Sequence, residues 1–175
     1  MTKAVFCAND RGELRAGTDL FRCAIGKGGL IAADAKREGD GASPIGDWPM
    51  RRVFYRADRL ARPQTQLPCI PLRPQDGWCD DPAHPLYNRP VTRPFAASHE
   101  ALWREDHVYD VIVELDHNQA PAMAGRGSAI FFHLAHADYR PTEGCIAVAL
   151  DDMRTLLARA GPGLVLAIKA AQTQA

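Results

Sequence analysis

Eight prolines between residues 60 and 95 constrain the fold of this chain more than any other feature. A proline has a fixed backbone angle and no N–H to donate, so it interrupts helix interiors and central strands. The stretch therefore excludes long helices and central strands. A long segment without regular structure usually serves as a lid or as one wall of a binding site. These prolines are Pro63, Pro68, Pro71, Pro74, Pro82, Pro85, Pro90 and Pro94.

Short apolar runs bounded by turn residues occupy much of the remaining chain and predict a mostly β fold. The segment from Gly26 to Gly46 is rich in glycine and charge, and we expect a long loop or a broken sheet edge there. Strands are predicted over residues 4–8, 13–15, 20–25, 48–55, 108–115, 128–134 and 164–168.

One helix is predicted, over residues 151–159. Asp151 can cap its first turn, and Met153, Leu156 and Leu157 share one face. A Gly-Pro pair just beyond the segment is a typical stop signal.

Length and charge limit the possible functions. With 175 residues, the chain is expected to form a single domain, residues 1–175. Its 21 basic and 21 acidic residues balance, so no excess of charge favours binding to nucleic acid or to an anionic membrane. No apolar run reaches the roughly 18 residues that a membrane-spanning helix needs.

The N-terminal sequence and the cysteines bear on the compartment. The first residues contain neither the apolar core nor the cleavage site of an export signal, and they begin with Met1. We therefore expect a cytoplasmic protein, with the periplasm as the alternative if an export segment was removed. The five cysteines are an odd number without CxxC spacing, which favours free thiols.

The segment from Gly127 to Leu150 contains a histidine and a cysteine in an order that suits acyl transfer. His133 lies near the end of an apolar run, which predicts a buried strand that carries an imidazole to a sheet edge. Cys145 directly follows Gly144, at the start of the next apolar run. A histidine on the neighbouring strand could take the proton of the thiol, and the N–H groups of Gly144 and Cys145 could stabilise an oxyanion. The pattern predicts a cysteine nucleophile with a histidine base.

These residues resemble the signature of the YkuD-type L,D-transpeptidase catalytic domain, a histidine followed after a spacer by Ser/Thr-His-Gly-Cys. The matching positions are His133, Thr142, Gly144 and Cys145, and Ile146 fits the hydrophobic position after the cysteine. A second segment, KREGDGASPIGDW at residues 36–48, resembles the family's Thr/Ser-Pro-x-Gly motif. The resemblance spans residues 20–170 and implies a mixed β-sheet or β-sandwich architecture.

The chain departs from the family pattern at three points. Glu143 stands where the family usually has a second histidine, and Ala147 replaces a polar residue that helps to hold substrate. His133 also precedes Cys145 by only 12 residues. Glu143 could pair with a substrate ammonium group, orient His133, or remain a solvated loop carboxylate.

The resemblance implies an enzyme that acts on peptidoglycan stem peptides without a cofactor. In that chemistry Cys145 attacks the carbonyl at the L-centre of diaminopimelate, His133 protonates the departing D-alanine, and a thioester remains. Water as acceptor gives an L,D-carboxypeptidase that removes D-alanine from the tetrapeptide. We favour this activity, in peptidoglycan recycling, because a cytoplasmic protein meets no polymeric wall to cross-link.

Two alternatives stay open. The amine of a second stem peptide as acceptor would make the chain an L,D-transpeptidase. The two lost polar positions could instead indicate a non-catalytic module that binds stem peptides. A carbapenem is expected to acylate a competent thiolate, so it distinguishes an enzyme from such a module.

Candidate substrate-binding residues lie beside the nucleophile and in the proline-rich stretch. Aromatic surface, carboxylates and arginine suit a zwitterionic peptide, and the arginines are candidates for binding a terminal carboxylate. Asp80 and Asp81, the carboxylates of that stretch, could instead cap turns. No metal is expected, because His133 and His136 face opposite sides of a strand and no further ligand has zinc-like spacing. The candidates are Trp78, Asp81, Arg89, Arg126, Arg140, Thr142 and Glu143.

Overall fold

The computed structural model describes residues 5–172, which form thirteen strands and one helix. The predicted mostly β class with a mixed sheet is confirmed. The elements are β1 (Val5–Asn9), β2 (Glu13–Ala16), β3 (Asp19–Arg22), β4 (Leu30–Ala32), β5 (Ser43–Tyr55), β6 (Cys69–Pro71), β7 (Asp76–Cys79), β8 (Pro90–Thr92), β9 (His99–Ala101), β10 (Val111–Leu115), β11 (Phe131–Leu134), β12 (Ile146–Val148), α1 (Leu150–Leu157) and β13 (Val165–Lys169).

Ten strands form one mixed sheet in the order β12-β11-β10-β5-β13-β1-β2-β3, and β4 and β6 both pair with β5. The 13-residue strand β5 connects the two halves of this sheet. Its first part lies beside β4 and β13, and its second part lies beside β6 and β10. Strands β11 and β12 are parallel at one edge, so the chain between them must cross back along that edge.

Alternating side chains of β11 separate the main core from the candidate site. Phe132 and Leu134 point into the main core, which α1 covers with buried apolar residues. Phe131 belongs to a second buried cluster, which also contains Tyr109 and Cys145. Successive strand residues face opposite sides, so His133 shares the face of Phe131. The strand therefore directs its histidine toward the second cluster.

The proline-rich stretch contains more regular structure than its sequence predicts. Strand β7 is the central strand of a three-stranded sheet, β8-β7-β9. The prediction that residues 60–95 exclude central strands was wrong, because Asp76–Cys79 contains no proline and every N–H of the strand can donate. The predicted loop at residues 26–46 likewise contains β4 and the start of β5.

The single helix of the described residues begins at Leu150 and ends at Leu157, so it is shorter than predicted. The expected cap at Asp151 was also wrong. The helix begins one residue earlier, its N-cap is Ala149 without a side-chain hydrogen bond, and Asp151 instead accepts from Arg154. The predicted first strand included Ala4, which lies outside the described residues. Within residues 5–172, no helix has the length and apolarity needed to cross a membrane.

Candidate active site

The parallel pair β11 and β12 brings His133 and Cys145 to the wall of one cavity. His133 pairs in register with Ala147, and Cys145 lies two residues earlier, immediately before β12. Both side chains are buried, at 7% exposure each. They line a cavity of about 550 Å³. The structure therefore brings together the two residues that the sequence predicts as nucleophile and base.

The Cys145 thiol is held by backbone groups of the neighbouring segment. Its Sγ donates to the carbonyl oxygen of Ala129 at 3.2 Å and accepts from the N–H of Phe131 at 3.3 Å. Burial, followed by the negative charge of Glu100, raises the pKa of the Cys145 thiol to about 12. The thiol is therefore protonated at neutral pH in the resting site.

The imidazole of His133 is neutral in the same state. Burial lowers the pKa of His133 to about 4. Its Nδ1 lies 2.9 Å from the carbonyl oxygen of Leu134, an acceptor, so Nδ1 carries the proton and Nε2 is left to accept one. The ring of Tyr109 packs edge-on against the imidazole, with the ring centroids 5.1 Å apart. Leu134 and Tyr109 together fix the orientation of the predicted base.

Thr142 organises the turn before the nucleophile. Its Oγ1 donates to the carbonyl oxygen of Cys145 at 2.6 Å and accepts from the N–H of Gly144 at 3.1 Å. The N–H of Gly144 therefore already donates a hydrogen bond within the protein. This geometry disfavours Gly144 as an oxyanion donor and leaves the N–H of Cys145 as the candidate.

Gly144 is required by a close approach of two distant segments. Its φ is +132°, and a Cβ at this position would lie 2.9 Å from the carbonyl oxygen of Ala42. Ser43 Oγ donates to the carbonyl oxygen of Gly144 at 2.8 Å and accepts from the N–H of Gly26 at 2.9 Å. The Ser-Pro-x-Gly segment of the sequence thus anchors the nucleophile loop directly, a role that its sequence alone does not indicate.

Glu143 lies at the rim of the cavity and does not contact His133. Its carboxylate accepts from Lys27 Nζ at 2.8 Å, and its side chain is 77% exposed. The hypothesis that Glu143 orients His133 is not supported by this geometry, since the carbonyl of Leu134 performs that role.

Arg140 lines the cavity with its guanidinium group close to His136. Its Nη2 lies 3.0 Å from His136 Nε2. Among residues 5–172, no carboxylate forms a salt bridge with Arg140. The charge of Arg140 is therefore available to a ligand.

Four other predicted substrate-binding residues do not line this cavity. Trp78 is fully buried against Phe131 and donates from Nε1 to Asn88 Oδ1 at 2.9 Å. Asp81 caps a local turn by accepting from the N–H of Ala83.

The two arginines of this group are bound to the backbone of distant loops. Arg89 donates to Gln119, through both the side chain and the backbone carbonyl. Arg126 donates to the carbonyl oxygen of Asp34. Of the residues predicted to contact substrate, Trp78, Asp81, Arg89 and Arg126 thus lie outside the lining of this cavity, and burial or local hydrogen bonds hold them there.

Several cavity residues could not be identified from the sequence. Glu38, Glu100 and Tyr109 line the same cavity as Cys145, and so does Asp80, which the sequence indicates only as a carboxylate of the proline-rich stretch. The Tyr109 hydroxyl donates to Glu100 Oε1 at 2.5 Å, and burial raises the pKa of the Glu100 carboxyl to about 7. No spacing links these residues in the sequence, because they come from separate loops and short strands that only the fold brings together.

A search of the curated proteins gave no match. The crystal structure of Mycobacterium tuberculosis L,D-transpeptidase 1 is 10% identical, with a TM-score of 0.42, and the match covers 95% of this chain and 58% of that one. This chain therefore spans less than two thirds of that protein. A model of the L,D-transpeptidase catalytic domain, YkuD, matches residues 3–168. With nearly its whole length matched, the chain belongs to the YkuD family of L,D-transpeptidase catalytic domains.

Proposed function

We propose that this protein is a cysteine peptidase of peptidoglycan stem peptides and that its main reaction is L,D-carboxypeptidase hydrolysis. One observation carries the proposal: Cys145 and His133, which match the family signature, line one cavity. The cavity, of about 550 Å³, falls within the range of pockets that hold one small ligand.

The first half of the reaction forms a thioester and releases D-alanine. Both pKa shifts disfavour a preformed ion pair, so the thiol proton moves from Cys145 Sγ to His133 Nε2 as sulfur attacks the carbonyl of the L-centre of diaminopimelate. The N–H of Cys145 stabilises the oxyanion. The carbon–nitrogen bond then breaks, and His133 gives its proton to the nitrogen of the departing D-alanine.

The second half depends on the acceptor. Water attacks the thioester while His133 takes one of its protons, and the sulfur leaves as the thiol of Cys145. A transpeptidase must also place the amine of a second stem peptide at the same carbon. Water needs no second peptide site, and a cavity sized for one ligand therefore favours hydrolysis. Cross-link formation by the same thioester is the alternative.

Arg140 supports recognition of a peptide end. A guanidinium group without a carboxylate partner in residues 5–172 lines the cavity and can bind a carboxylate through two hydrogen bonds. We propose that Arg140 binds the carboxylate of the terminal D-alanine. Thr142 supports the same site indirectly, because it holds the backbone that presents Cys145.

We also propose that the substrate is tetrapeptide released during peptidoglycan recycling and that the reaction takes place in the cytoplasm. All five cysteines are free thiols, the state expected in a reducing compartment. Cell fractionation followed by immunodetection tests the location.

Incubation with a diaminopimelate-containing tetrapeptide tests the reaction. Mass spectrometry is expected to show the tripeptide and free D-alanine, whereas a cross-linked dimer would identify a transpeptidase. Cys145→Ser is expected to keep the fold and abolish turnover, because a hydroxyl is far harder to deprotonate than a thiol. Cys69→Ser is the matched control, since Cys69 lies on β6, outside the cavity.

A carbapenem tests whether Cys145 is chemically competent at all. We expect wild-type protein and Cys69→Ser to gain the mass of the opened carbapenem, and Cys145→Ser to gain none. A wild-type protein that binds the tetrapeptide but forms neither product nor adduct would be a stem-peptide binding module.

A further inference from the structure

Three carboxylates that interact electrostatically, Glu38, Asp80 and Glu100, line the cavity that contains Cys145, and this part of its wall is here named the acidic end. The charges of Asp80 and Glu38 both raise the pKa of the Glu100 carboxyl, so the three groups lie within electrostatic reach of one another. Glu100 also raises the pKa of the Cys145 thiol, which places the acidic end close to the nucleophile.

The carboxylates of the acidic end have few protein donors. Glu38 accepts from the hydroxyl of Tyr87, and Glu100 accepts from the hydroxyl of Tyr109. Asp80 Oδ1 is buried and has no hydrogen-bond partner among the residues that the structure describes. A buried carboxylate oxygen without a donor is costly, so a ligand that supplies donors and positive charge would be bound strongly here.

Two cations that line the same cavity, Lys36 and Arg104, are engaged elsewhere. Lys36 Nζ donates to Asp40 and to the carbonyl oxygen of Arg37. The charge of Arg104 lowers the pKa of Glu100. The guanidinium group of Arg104, however, forms a bidentate ion pair with Asp106, at 2.7 and 2.8 Å. Neither cation hydrogen-bonds to the three carboxylates.

Ser128 provides an independent indication of a ligand. It lines the same cavity, is only 8% exposed, and within residues 5–172 its Oγ has no hydrogen-bond partner. The hydroxyl lies near that of Tyr87 without reaching hydrogen-bond geometry. A buried hydroxyl normally has a hydrogen-bond partner, so Ser128 Oγ is available to accept a hydrogen bond from a ligand in the cavity.

We propose that the acidic end binds a primary ammonium group of the substrate. An ammonium group carries one positive charge and three N–H donors, which suits clustered carboxylates and an unpaired hydroxyl. The inference rests on the proposed function, under which this group is the side-chain amine of diaminopimelate. It moves ammonium recognition from Glu143, which is exposed and paired with Lys27, to Asp80 and its neighbours.

Two peptides that differ only in this amine test the inference: the tetrapeptide with diaminopimelate, and the same peptide with 2-aminopimelate, which lacks the side-chain ammonium. Wild-type protein is expected to favour the first by about ten- to hundredfold in kcat/KM, the size of a charge-assisted hydrogen bond. Asp80→Asn should reduce this preference to less than about threefold. Asp47→Asn is the matched control, because Asp47 is an exposed carboxylate outside the cavity, paired with Lys169.

Calorimetric binding of both peptides to Cys145→Ala protein separates this inference from the proposed function. Turnover of both peptides with equal kcat/KM would overturn the inference and leave the peptidase intact. Binding that favours the diaminopimelate peptide without any turnover would overturn the peptidase and support the inference. Equal binding of the two peptides, or binding of neither, would overturn the inference whatever the turnover.

Discussion

The hydroxyl of Ser43 donates a 2.8 Å hydrogen bond to the carbonyl oxygen of Gly144, a residue 101 positions further along the chain. Ser43 Oγ also accepts from the N–H of Gly26, and Ser43 is fully buried. One side chain therefore joins the start of β5, the glycine-rich segment and the residue before the nucleophile. The position of Cys145 depends on this contact as well as on its own strand.

Ser43→Ala is expected to lower both stability and kcat. It leaves two buried backbone groups without their partner, and each such group costs about 1–3 kcal/mol of unfolding free energy. A displaced nucleophile should lower kcat by about ten- to hundredfold, with KM changed less. Denaturant unfolding and D-alanine release measure the two effects.

Thr65→Ala is the control for Ser43. Thr65 Oγ1 also donates to a backbone carbonyl, that of Ala160 at 2.9 Å, but it lies outside the cavity. We expect this variant to lose stability and to keep its kcat. An equal loss of kcat in both variants would show that Ser43 acts through stability alone.

The reactivity of Cys145 should increase steadily with pH. With its pKa raised to about 12 by burial, the thiolate fraction grows about tenfold per pH unit between pH 7 and 9. Iodoacetamide labelling of Cys145, followed by peptide mass spectrometry, should therefore show no plateau in this range. A plateau near neutral pH would indicate a preformed thiolate–imidazolium pair and contradict the neutral resting site.

Glu100→Gln should change the rate at which iodoacetamide labels Cys145. The negative charge of Glu100 is the second cause of the raised pKa of Cys145, so its removal should speed labelling at a given pH. Glu105→Gln removes an exposed carboxylate outside the cavity and should leave the labelling rate of Cys145 unchanged.

The sequence predicts a cysteine nucleophile and a histidine base because both residues lie at the ends of apolar runs in one local segment. His133 and Cys145 are only 12 residues apart, and the two apolar runs form the neighbouring strands β11 and β12. The mostly β class is likewise encoded by local patterns. These features depend on periodicity and short spacing, which a sequence displays directly.

The rest of the site depends on contacts between distant segments. Trp78 and Asp80 are neighbours in the sequence, yet the small sheet β8-β7-β9 buries the first in the core and places the second at the cavity wall. Residue type alone does not separate the two, because an aromatic ring and a carboxylate both suit a peptide ligand. Trp78 lies within β7 and packs on Phe131, whereas Asp80 lies just beyond the end of β7 and lines the cavity.

His117 should make the protein less stable in acid. Burial, followed by the charge of Lys36, lowers its pKa to about 4, against 6.5 for an unperturbed histidine. Between these values the unfolded chain binds a proton that the folded protein excludes, so stability is full above pH 6.5 and is lost as the pH falls toward 4.

His117→Phe isolates this effect. It removes the titrating group and keeps a ring for the edge-on contact with Trp48 at 4.8 Å. Between pH 7 and 5, wild-type protein should lose about 2 kcal/mol more unfolding free energy than the variant. Urea unfolding at pH 7 and at pH 5 measures the difference. The buried His133 adds the same pH-dependent loss of unfolding free energy to both proteins, so it cancels. Equal losses would show that His117 titrates normally.

Glu143→Gln is expected to have little effect, although Glu143 stands immediately before Gly144 in the signature. Its carboxylate is largely exposed and pairs with Lys27, and an exposed ion pair contributes about 0–1 kcal/mol. KM and kcat for the diaminopimelate tetrapeptide should therefore each change by less than about fivefold. Lys27→Gln, which breaks the same ion pair, should show equally small changes in both constants. A tenfold or larger rise in KM that disappears with the aminopimelate peptide would instead place ammonium recognition on Glu143. A loss confined to kcat would mean that Glu143 reaches His133 during turnover, in a conformation different from its pair with Lys27.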